Sequence, residues 1–277
     1  MCYHLSFDVK LESIQDYFPE VVLDNQLDIN FPEASYINGF DHLMHPVLRT
    51  SSKDGKKHLG LSMWGFLPNG VKNYNEAELF WNGYKDENGK FNKGFVTLNA
   101  TGEDLLEKRL YKDAALNGRC IVFADGFYEW HHTFPIGKKG QPLKTAVKYP
   151  HHIYLKDENQ SLFMFAAIWS LWKHEEVDKE TGELQTITTP TFAVVTTKAN
   201  SLMSKIHNSK ERMPTILTKE LAEEWTKPGL SEERINQIAT FQFPAEQMGA
   251  HTISKDFQQV TTPKSRHNYP DFTPEFC

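Results

Sequence analysis

The feature that most restricts the fold of this chain is a series of short apolar runs with the character of β-strands. Each run is rich in β-branched or aromatic residues and is bounded by turn residues, which is typical of strands. Helical patterns occur between the runs only at irregular intervals, whereas a doubly wound sheet needs regular alternation. We therefore expect a single α+β domain. The predicted strands lie at residues 59–66, 120–124, 152–155, 162–169, 191–196 and 250–254.

The rest of the chain divides into helices, loops and a tail. A capping-box pattern at residues 101–104 predicts the start of a helix that ends at Gly118. Because prolines recur near the end, we expect one domain over residues 1–256 and a poorly ordered tail over residues 257–277. Two short amphipathic helices are predicted at 218–227 and 231–240, and loops at 69–92, 133–150 and 175–190.

Length and composition exclude several classes of protein. With 277 residues, the chain can bury a large core without disulfides or a structural metal. No run of eighteen apolar residues is present and no signal peptide begins the chain, so we expect a cytoplasmic protein. The three cysteines are an odd number and include no Cys-x-x-Cys pair, which argues against a disulfide framework and against a zinc site.

The charge argues against binding to long duplexes through their phosphates. Thirty basic residues stand against 36 acidic ones, which gives a net charge of −6. Proteins with a large phosphate footprint are usually basic. A role on nucleic acid would therefore need a local basic groove, or a covalent step that replaces part of the electrostatic attraction.

Cys2 is the first candidate for chemistry. Initiator methionine is normally removed before a small second residue, so the mature chain would begin with an amine and a thiol on one residue. Their ordinary pKa values, about 8 and about 8.5, make both groups nucleophilic near neutral pH. The amine can condense with an aldehyde to an imine, and the thiol can then close a thiazolidine ring. The alternative is that Cys2 packs as a small apolar residue, as we expect of Cys120.

Three further residues have suitable surroundings. Glu129 lies between aromatic residues at the end of a predicted strand, where partial desolvation would raise its pKa and suit it to proton transfer. His207 is flanked by lysines and is followed by Arg212, which can hold a phosphate in bidentate fashion. Asn99 precedes the predicted helix start, where an ordinary helix cap is the simplest interpretation.

Several sequence blocks are distinctive in combination. The most specific are Asp-Gly-Phe-Tyr-Glu-Trp at residues 125–130 and His207 followed by Arg-Met-Pro at 212–214. Together the blocks cover nearly the whole chain and closely resemble the SRAP (SOS-response-associated peptidase) family of abasic-site processing proteins. The other blocks, in family order, are Cys2, Trp-Gly-Phe-Leu-Pro at 64–68, Asn-Ala at 99–100 with Glu103, Arg-Cys at 119–120, Ala-Ala-Ile-Trp at 166–169 and the run at 192–196.

The resemblance implies a mixed, mainly antiparallel, barrel-like β core with short peripheral helices. It also implies that Cys2 forms a thiazolidine crosslink with the ring-opened sugar of an abasic site. Asn99 would hold the amine or the sugar, Glu129 would shuttle protons, and His207 would contact the sugar hydroxyl or phosphate. Self-processing peptidase, lyase and crosslink-reversal activities in the DNA damage (SOS) response are implied too, with no cofactor and no metal.

The implied partner is single-stranded DNA that contains abasic sites, bound by a monomer, away from membranes and at the nucleoid. The chain departs from many relatives at Thr101, where they have arginine, and at Asn69, where they have tryptophan. Trp81 and the lysine-bearing loop before Pro150 are candidates to replace those contacts. The candidate DNA contacts are the basic residues Arg212, Lys205, Lys210, Arg49 and Lys198, and the apolar residues Trp64 and Pro68, which would stack on or wedge between bases.

Two other classes of function remain as alternatives. An N-terminal-nucleophile amidohydrolase would explain Cys2 and Asn99, but it leaves the blocks at 125–130 and 207–214 unused. A metal-binding module could use the histidine pairs at 131–132 and 151–152, but adjacent residues of a strand point to opposite faces, so each pair offers one ligand per face.

Overall fold

A computed structural model describes residues 2–24, 27, 34–157 and 162–274 of the protein. These ranges contain fifteen strands and six α-helices. The helices are α1 (Leu11–Tyr17), α2 (Tyr74–Asn82), α3 (Lys112–Asn117), α4 (Ser201–Ile206), α5 (Lys219–Trp225) and α6 (Glu232–Ala239). The strands are β1 (His4–Phe7), β2 (Val22–Leu23), β3 (Ala34–Asn38), β4 (Met44–Thr50), β5 (Lys57–Trp64), β6 (Tyr84–Lys85), β7 (Phe91–Asn92), β8 (Asn99–Thr101), β9 (Arg119–Ala124), β10 (Gly126–Thr133), β11 (Val147–Leu155), β12 (Phe163–Val177), β13 (Leu184–Lys198), β14 (Arg212–Pro214) and β15 (Met248–Thr252).

The larger sheet closes on itself. Its strand order is β14-β13-β12-β9-β4-β5-β2, and β13 also pairs in parallel with β5, with Phe192 opposite Trp64. This extra pairing joins β5, β4, β9, β12 and β13 into a ring whose other contacts are antiparallel. The prediction of a mixed, mainly antiparallel and barrel-like core with short peripheral helices is confirmed.

Side chains alternate between the two faces of the ring strands, and the buried side chains on each face belong to a separate apolar cluster. Ile121 and Phe123 of β9 pack with residues of α1, α3, α5 and α6. Their neighbours Cys120 and Val122 point the other way, into a cluster that contains Cys2 and residues of β1, β10 and α4. Because successive side chains of a strand point to opposite faces, β9 contributes to both clusters, and Cys2 lies in the second one.

A second sheet, with the order β15-β11-β10-β1-β3, carries the start of the chain. All its pairings are antiparallel. The register of β1 on β10 places Leu5 opposite Phe127, so the chain before Leu5 runs back along β10 in the direction of Glu129. This register brings together two parts of the chain that are more than a hundred residues apart.

The predicted loops are where the structure departs most from expectation. Residues 175–190 form the outer half of a long hairpin, because β12 and β13 remain paired out to Val177 and Leu184. Residues 69–92 contain α2, whose first turn is capped by the side chain of Asn73, and the small β6–β7 hairpin. The prediction of a helix from residue 101 is wrong in its first half. The side chain of Thr101 makes no capping hydrogen bond, and α3 begins only at Lys112.

The segment after residue 256, predicted as a tail, packs on the body of the protein as far as residue 274. Phe257 is buried against Tyr128 and Trp130. The ammonium group of Lys264 pairs with Asp8 at 2.7 Å and also with Asp125. We call these three charged residues the Lys264 clasp, because they fasten the late segment to the chain beside β1. No α-helix in the described ranges is long and apolar enough to cross a bilayer.

Candidate active site

Four residues from distant parts of the sequence meet beside the second apolar cluster. Cys2 precedes β1, and Asn99 begins β8, which pairs in parallel with β13 of the ring. Glu129 lies within β10, and His207 follows the last turn of α4. The sheet pairings therefore bring together the four residues that the sequence predicts as catalytic.

Asn99 fixes the backbone of Cys2. Its Nδ2 donates a hydrogen bond of 2.9 Å to the carbonyl oxygen of Cys2, and both residues are buried. The Oδ1 of Asn99 is buried as well and has no hydrogen-bond partner among the described residues. A buried amide oxygen without a donor is costly, so this atom is suited to accept a bond from a ligand or an amine.

The thiol of Cys2 is fully buried in the second cluster. Burial raises the pKa of this thiol, and the nearby carboxylate of Glu129 raises it further, because both disfavour a thiolate. The thiol is therefore neutral at physiological pH. It would react only when a neighbouring group removes its proton or when an activated electrophile lies against it.

Glu129 and His207 form a pair whose pKa values are shifted in opposite directions. Burial raises the pKa of Glu129 from 4.5 to about 7 and lowers the pKa of His207 from 6.5 to about 4. The Nε2 of His207 lies 3.8 Å from Oε2 of Glu129. Because the imidazole is neutral at pH 7, this contact is not an ion pair. Glu129 can give or take a proton near neutral pH, which suits a general acid and base.

The tautomer of His207 is set by the backbone of Arg212. Nδ1 lies 2.8 Å from the carbonyl oxygen of Arg212 and must donate to it, which leaves the lone pair of Nε2 directed to Glu129. The guanidinium of Arg212 is itself held by both oxygens of Glu103 at 2.8 Å and by the carbonyl of Thr196 at 2.6 Å. The Glu103–Arg212 pair therefore positions the imidazole through one carbonyl group.

The residues predicted to contact DNA have different surroundings. Lys198, Lys205 and Lys210 are exposed: Lys198 ends β13 opposite Arg212, Lys205 lies in α4, and Lys210 lies in the turn between His207 and Arg212. Arg49 pairs with Asp24 at 3.0 Å and covers the ring of Trp169. Among the described residues these three lysines form no ion pair, whereas Arg49 and Arg212 are paired with the carboxylates of Asp24 and Glu103.

The two apolar candidates are further from solvent than expected. Trp64 is 1% exposed, stacks on Phe192, and donates its indole N–H to the carbonyl of Leu98. A buried indole offers no face to a base, so Trp64 instead supports the segment that leads to Asn99. Pro68 is half-buried and lines an open cavity of about 710 Å³ together with Arg109.

An aromatic contact that the sequence did not predict lies beside Cys2. The ring of Tyr3 lies 5.0 Å from that of Phe40, and the backbone N–H of Gly39 donates to the carbonyl of Tyr3. His42 has a positive φ of 49° and stacks on Trp81 with 3.5 Å between ring centres. No local sequence pattern predicts the stacking of His42 on Trp81, because it requires a left-handed backbone at His42 and a contact with a residue of α2 that is distant in the sequence.

The histidine pairs proposed as metal ligands are engaged in other contacts. Nδ1 of His131 is bonded to the carbonyl of Lys205, and Nδ1 of His151 to that of Tyr149. His152 is buried between the rings of Tyr128 and His251. Over the part of the chain that the structure describes, no group of three or more histidine, cysteine or acidic residues could hold a metal ion.

A barrel-like fold that holds a cysteine from the start of the chain among an amide, a carboxyl group and an imidazole defines a class of nucleophilic site. The sequence model of the SOS response associated peptidase (SRAP) family matches residues 1–260. The chain therefore belongs to the SRAP family.

Relatives named as abasic site processing proteins cover much of the chain. YoqW of Bacillus subtilis (strain 168) is 30% identical over 249 residues, which are 90% of this chain and 92% of the relative. YedK of Escherichia coli (strain K12) is 30% identical over 210 residues, or 76% and 73%. HMCES of Xenopus tropicalis is 28% identical over 222 residues, or 77% and 56%. An X-ray structure of a protein from Bacteroides thetaiotaomicron matches with a TM-score of 0.72 and 28% identity, covering 96% of this chain and all of that one.

Proposed function

We propose that this protein processes abasic sites by forming a covalent crosslink between mature Cys2 and single-stranded DNA. The observation that carries the proposal is the meeting of Cys2 with Glu129, whose pKa is raised to about 7 by burial. An abasic site in its ring-opened form is an aldehyde, and an amine with a neighbouring thiol is suited to capture it. The names of the curated relatives support the same substrate.

The proposed reaction has two covalent steps. The α-amine of mature Cys2 attacks the aldehyde carbon, and the resulting hydroxyl leaves as water, so that a C=N bond replaces the C=O bond. The thiol then adds across this imine. Sulfur bonds to the carbon, the thiol proton is transferred to nitrogen, and a five-membered thiazolidine ring closes. No oxidant or reductant is needed, and one molecule of water is released.

Glu129 is the proposed proton shuttle for both steps. In its acid form it protonates the departing hydroxyl, and in its carboxylate form it accepts the thiol proton on the way to nitrogen. A pKa near 7 keeps both forms populated under ordinary conditions. The neutral Nε2 of His207, 3.8 Å away, is placed to accept a hydrogen bond from a sugar hydroxyl.

The remaining residues position the reacting groups. Asn99 holds the carbonyl of Cys2, and its buried Oδ1, which has no partner among the described residues, would accept a bond from the α-amine or from the opened sugar. The exposed side chains of Lys198, Lys205 and Lys210 would contact phosphates of the strand, so that a locally basic surface offsets the net charge of −6. The protein would act as a monomer and, with this substrate, at the nucleoid.

A denaturing gel tests the proposal directly. Purified protein is mixed with a single-stranded oligonucleotide that contains one abasic site, and a slower band reports the covalent adduct. We expect the band with the unchanged protein and its complete loss in Cys2→Ala. Cys120→Ala is the matched control, because Cys120 is also fully buried and lies in the same apolar cluster. Its band should remain.

Two further results bear on the proposal. Intact mass spectrometry of the purified chain must show loss of the initiator methionine, since the α-amine of Cys2 is otherwise an amide. A protein that begins with Cys2 and folds normally, yet gives no adduct with abasic DNA, would contradict the proposal. Hydrolysis of amide substrates by that same protein would then favour an amidohydrolase.

A further inference from the structure

Three exposed aromatic side chains lie on one segment that projects between α2 and β8. Residues 79–96, which we call the aromatic arm, comprise the end of α2, the β6–β7 hairpin and the residues that lead to β8. Tyr84, Phe91 and Phe95 are 50%, 57% and 61% exposed. Exposed apolar surface of this kind often marks an interaction site or a ligand-binding groove.

The arm is a built structure with a tight base. The backbone N–H of Phe95 donates to the carbonyl of Phe80, and the two phenyl rings stack 5.1 Å apart. Gly94 passes so close to Trp81 that a Cβ at residue 94 would lie 2.2 Å from its carbonyl oxygen. One face of the Phe95 ring is thereby fixed on Phe80, while most of the side chain is exposed.

The charges on the arm are interleaved with its aromatic rings. Lys85, Lys90 and Lys93 are exposed, and each stands within two residues of Tyr84, Phe91 or Phe95. Of the two acidic residues in this stretch, Asp86 accepts bonds from the backbone N–H groups of Asn88 and Lys90 inside the turn, and Glu87 lies at the turn itself. Rings that bases can stack on, with cations beside them, are the features that bind single strands without sequence preference.

The arm is continuous with the surroundings of Cys2. At its base, Trp81 stacks on His42 and donates its indole N–H to the hydroxyl of Thr97. The turn that carries His42 also holds Phe40, which is half exposed and packs on Tyr3, the residue after Cys2. A chain of aromatic contacts therefore leads from Tyr3, through the turn that carries Phe40 and His42, to Trp81 at the base of the arm.

We infer that the aromatic arm binds the single-stranded DNA that flanks the abasic site, through base stacking on Phe91 and Phe95 and phosphate contacts of Lys90 and Lys93. This inference rests on the proposed function and adds the route of the strand outside the reactive centre. It also identifies this chain's own source of stacking surface, since Trp64 is buried.

The test compares binding of a short and a long strand. Both oligonucleotides carry a tetrahydrofuran abasic analogue, which has no aldehyde and so binds without crosslinking, and fluorescence anisotropy gives Kd. The short strand has about two nucleotides on each side of the analogue and the long strand about eight, within the range of single-strand site sizes. We expect the unchanged protein to bind the long strand more tightly and Phe91→Ala/Phe95→Ala to lose about tenfold or more of that advantage.

Two further variants make the result specific. Leu171→Ala/Val177→Ala removes equally exposed apolar side chains from β12 and should keep the full length advantage. Lys90→Gln/Lys93→Gln should lower the slope of log Kd against log salt by about 1.4, because each phosphate contact to a single strand contributes about 0.7. Melting temperatures of all variants check that they fold.

The outcomes separate this inference from the proposed function. If the unchanged protein forms the Cys2 adduct with true abasic DNA but the arm variants keep the full length advantage, the inference is overturned and the proposed function stands. If no Cys2 adduct forms, the proposed function is overturned, and the inference that rests on it is overturned with it. Light scattering could also show a dimer that becomes monomeric in Phe91→Ala/Phe95→Ala while DNA binding is unchanged. That result would assign the arm to contact with a second copy of the chain and would overturn the inference as well.

Discussion

Replacing Glu129 by glutamine should make the protein more stable at neutral pH while slowing its reaction. The carboxyl group is 5% exposed, and burial raises its pKa from 4.5 to about 7 in the folded chain. Between these two pH values the folded chain keeps a proton that the unfolded chain has released. The free energy of unfolding therefore falls as the pH rises from about 4.5 to 7.

The size of this effect follows from the pKa difference. Each pH unit corresponds to about 1.4 kcal/mol, so holding Glu129 charged in the folded state costs about 3 kcal/mol above pH 7. Glutamine has nearly the same shape and cannot ionise. We expect the free energy of unfolding of Glu129→Gln, relative to the unchanged protein, to increase by about 3 kcal/mol between pH 4.5 and pH 8.

Urea unfolding of both proteins at the two pH values measures this difference. Glu87→Gln, which removes one negative charge from an exposed turn, is the matched control. Glu129→Gln should also form the abasic adduct more slowly on a denaturing gel, whereas Glu87→Gln should not, because only Glu129 is the proposed shuttle for the hydroxyl and thiol protons. A stability difference that does not change with pH would refute the assignment of a raised pKa. Unchanged adduct kinetics would refute the role in proton transfer.

Three other substitutions test how the site and its supports are built. Gly102→Ala should lower the free energy of unfolding in urea by about 1–3 kcal/mol and reduce the adduct yield, because the new Cβ would lie 2.3 Å from the carbonyl oxygen of Ala239 and displace β8. A urea midpoint equal to that of the unchanged protein would contradict this. Trp225→Phe leaves two buried strand carbonyls without the indole N–H and should cost about 1–3 kcal/mol, seen as a lower Tm. If Tm is unchanged, those hydrogen bonds contribute nothing. Lys264→Gln should lower stability by less than about 1 kcal/mol but speed limited proteolysis within residues 260–274, because the clasp to Asp125 is lost. Equal cleavage rates would show that the segment is held by other contacts.

The strands could be predicted from the sequence where they are buried, because burial requires a recognisable run of apolar residues. The ring strand β9 is buried along its whole length, and its run of apolar residues shows it directly. The outer half of the β12–β13 hairpin was not predictable, because most of its side chains are exposed and polar and so resemble a loop. The parallel contact of Phe192 with Trp64 that closes the ring is a long-range pairing, and no local pattern encodes it.

The site divides in the same way. Cys2 and Glu129 stood out from their own chemistry and immediate neighbours, whereas Asn99 resembled a helix cap and was singled out only through the family resemblance. Its actual contact, with the carbonyl of Cys2, depends on the pairing of β8 with β13. The engagement of Arg212 with Glu103 was equally hidden, since the two residues are 109 positions apart in the sequence.

The Lys264 clasp has a practical consequence for the chemistry at the other end of β1. Because Lys264 contacts Asp8, which follows β1, a linker that spans at least the length of β1 can join the late segment to Cys2, and a new start can be opened at the turn of residues 178–183. Such a circular permutant retains the thiol of Cys2 and every strand, but its Cys2 nitrogen becomes an ordinary amide. It would separate the contribution of the amine from that of the thiol, which no side-chain replacement can do.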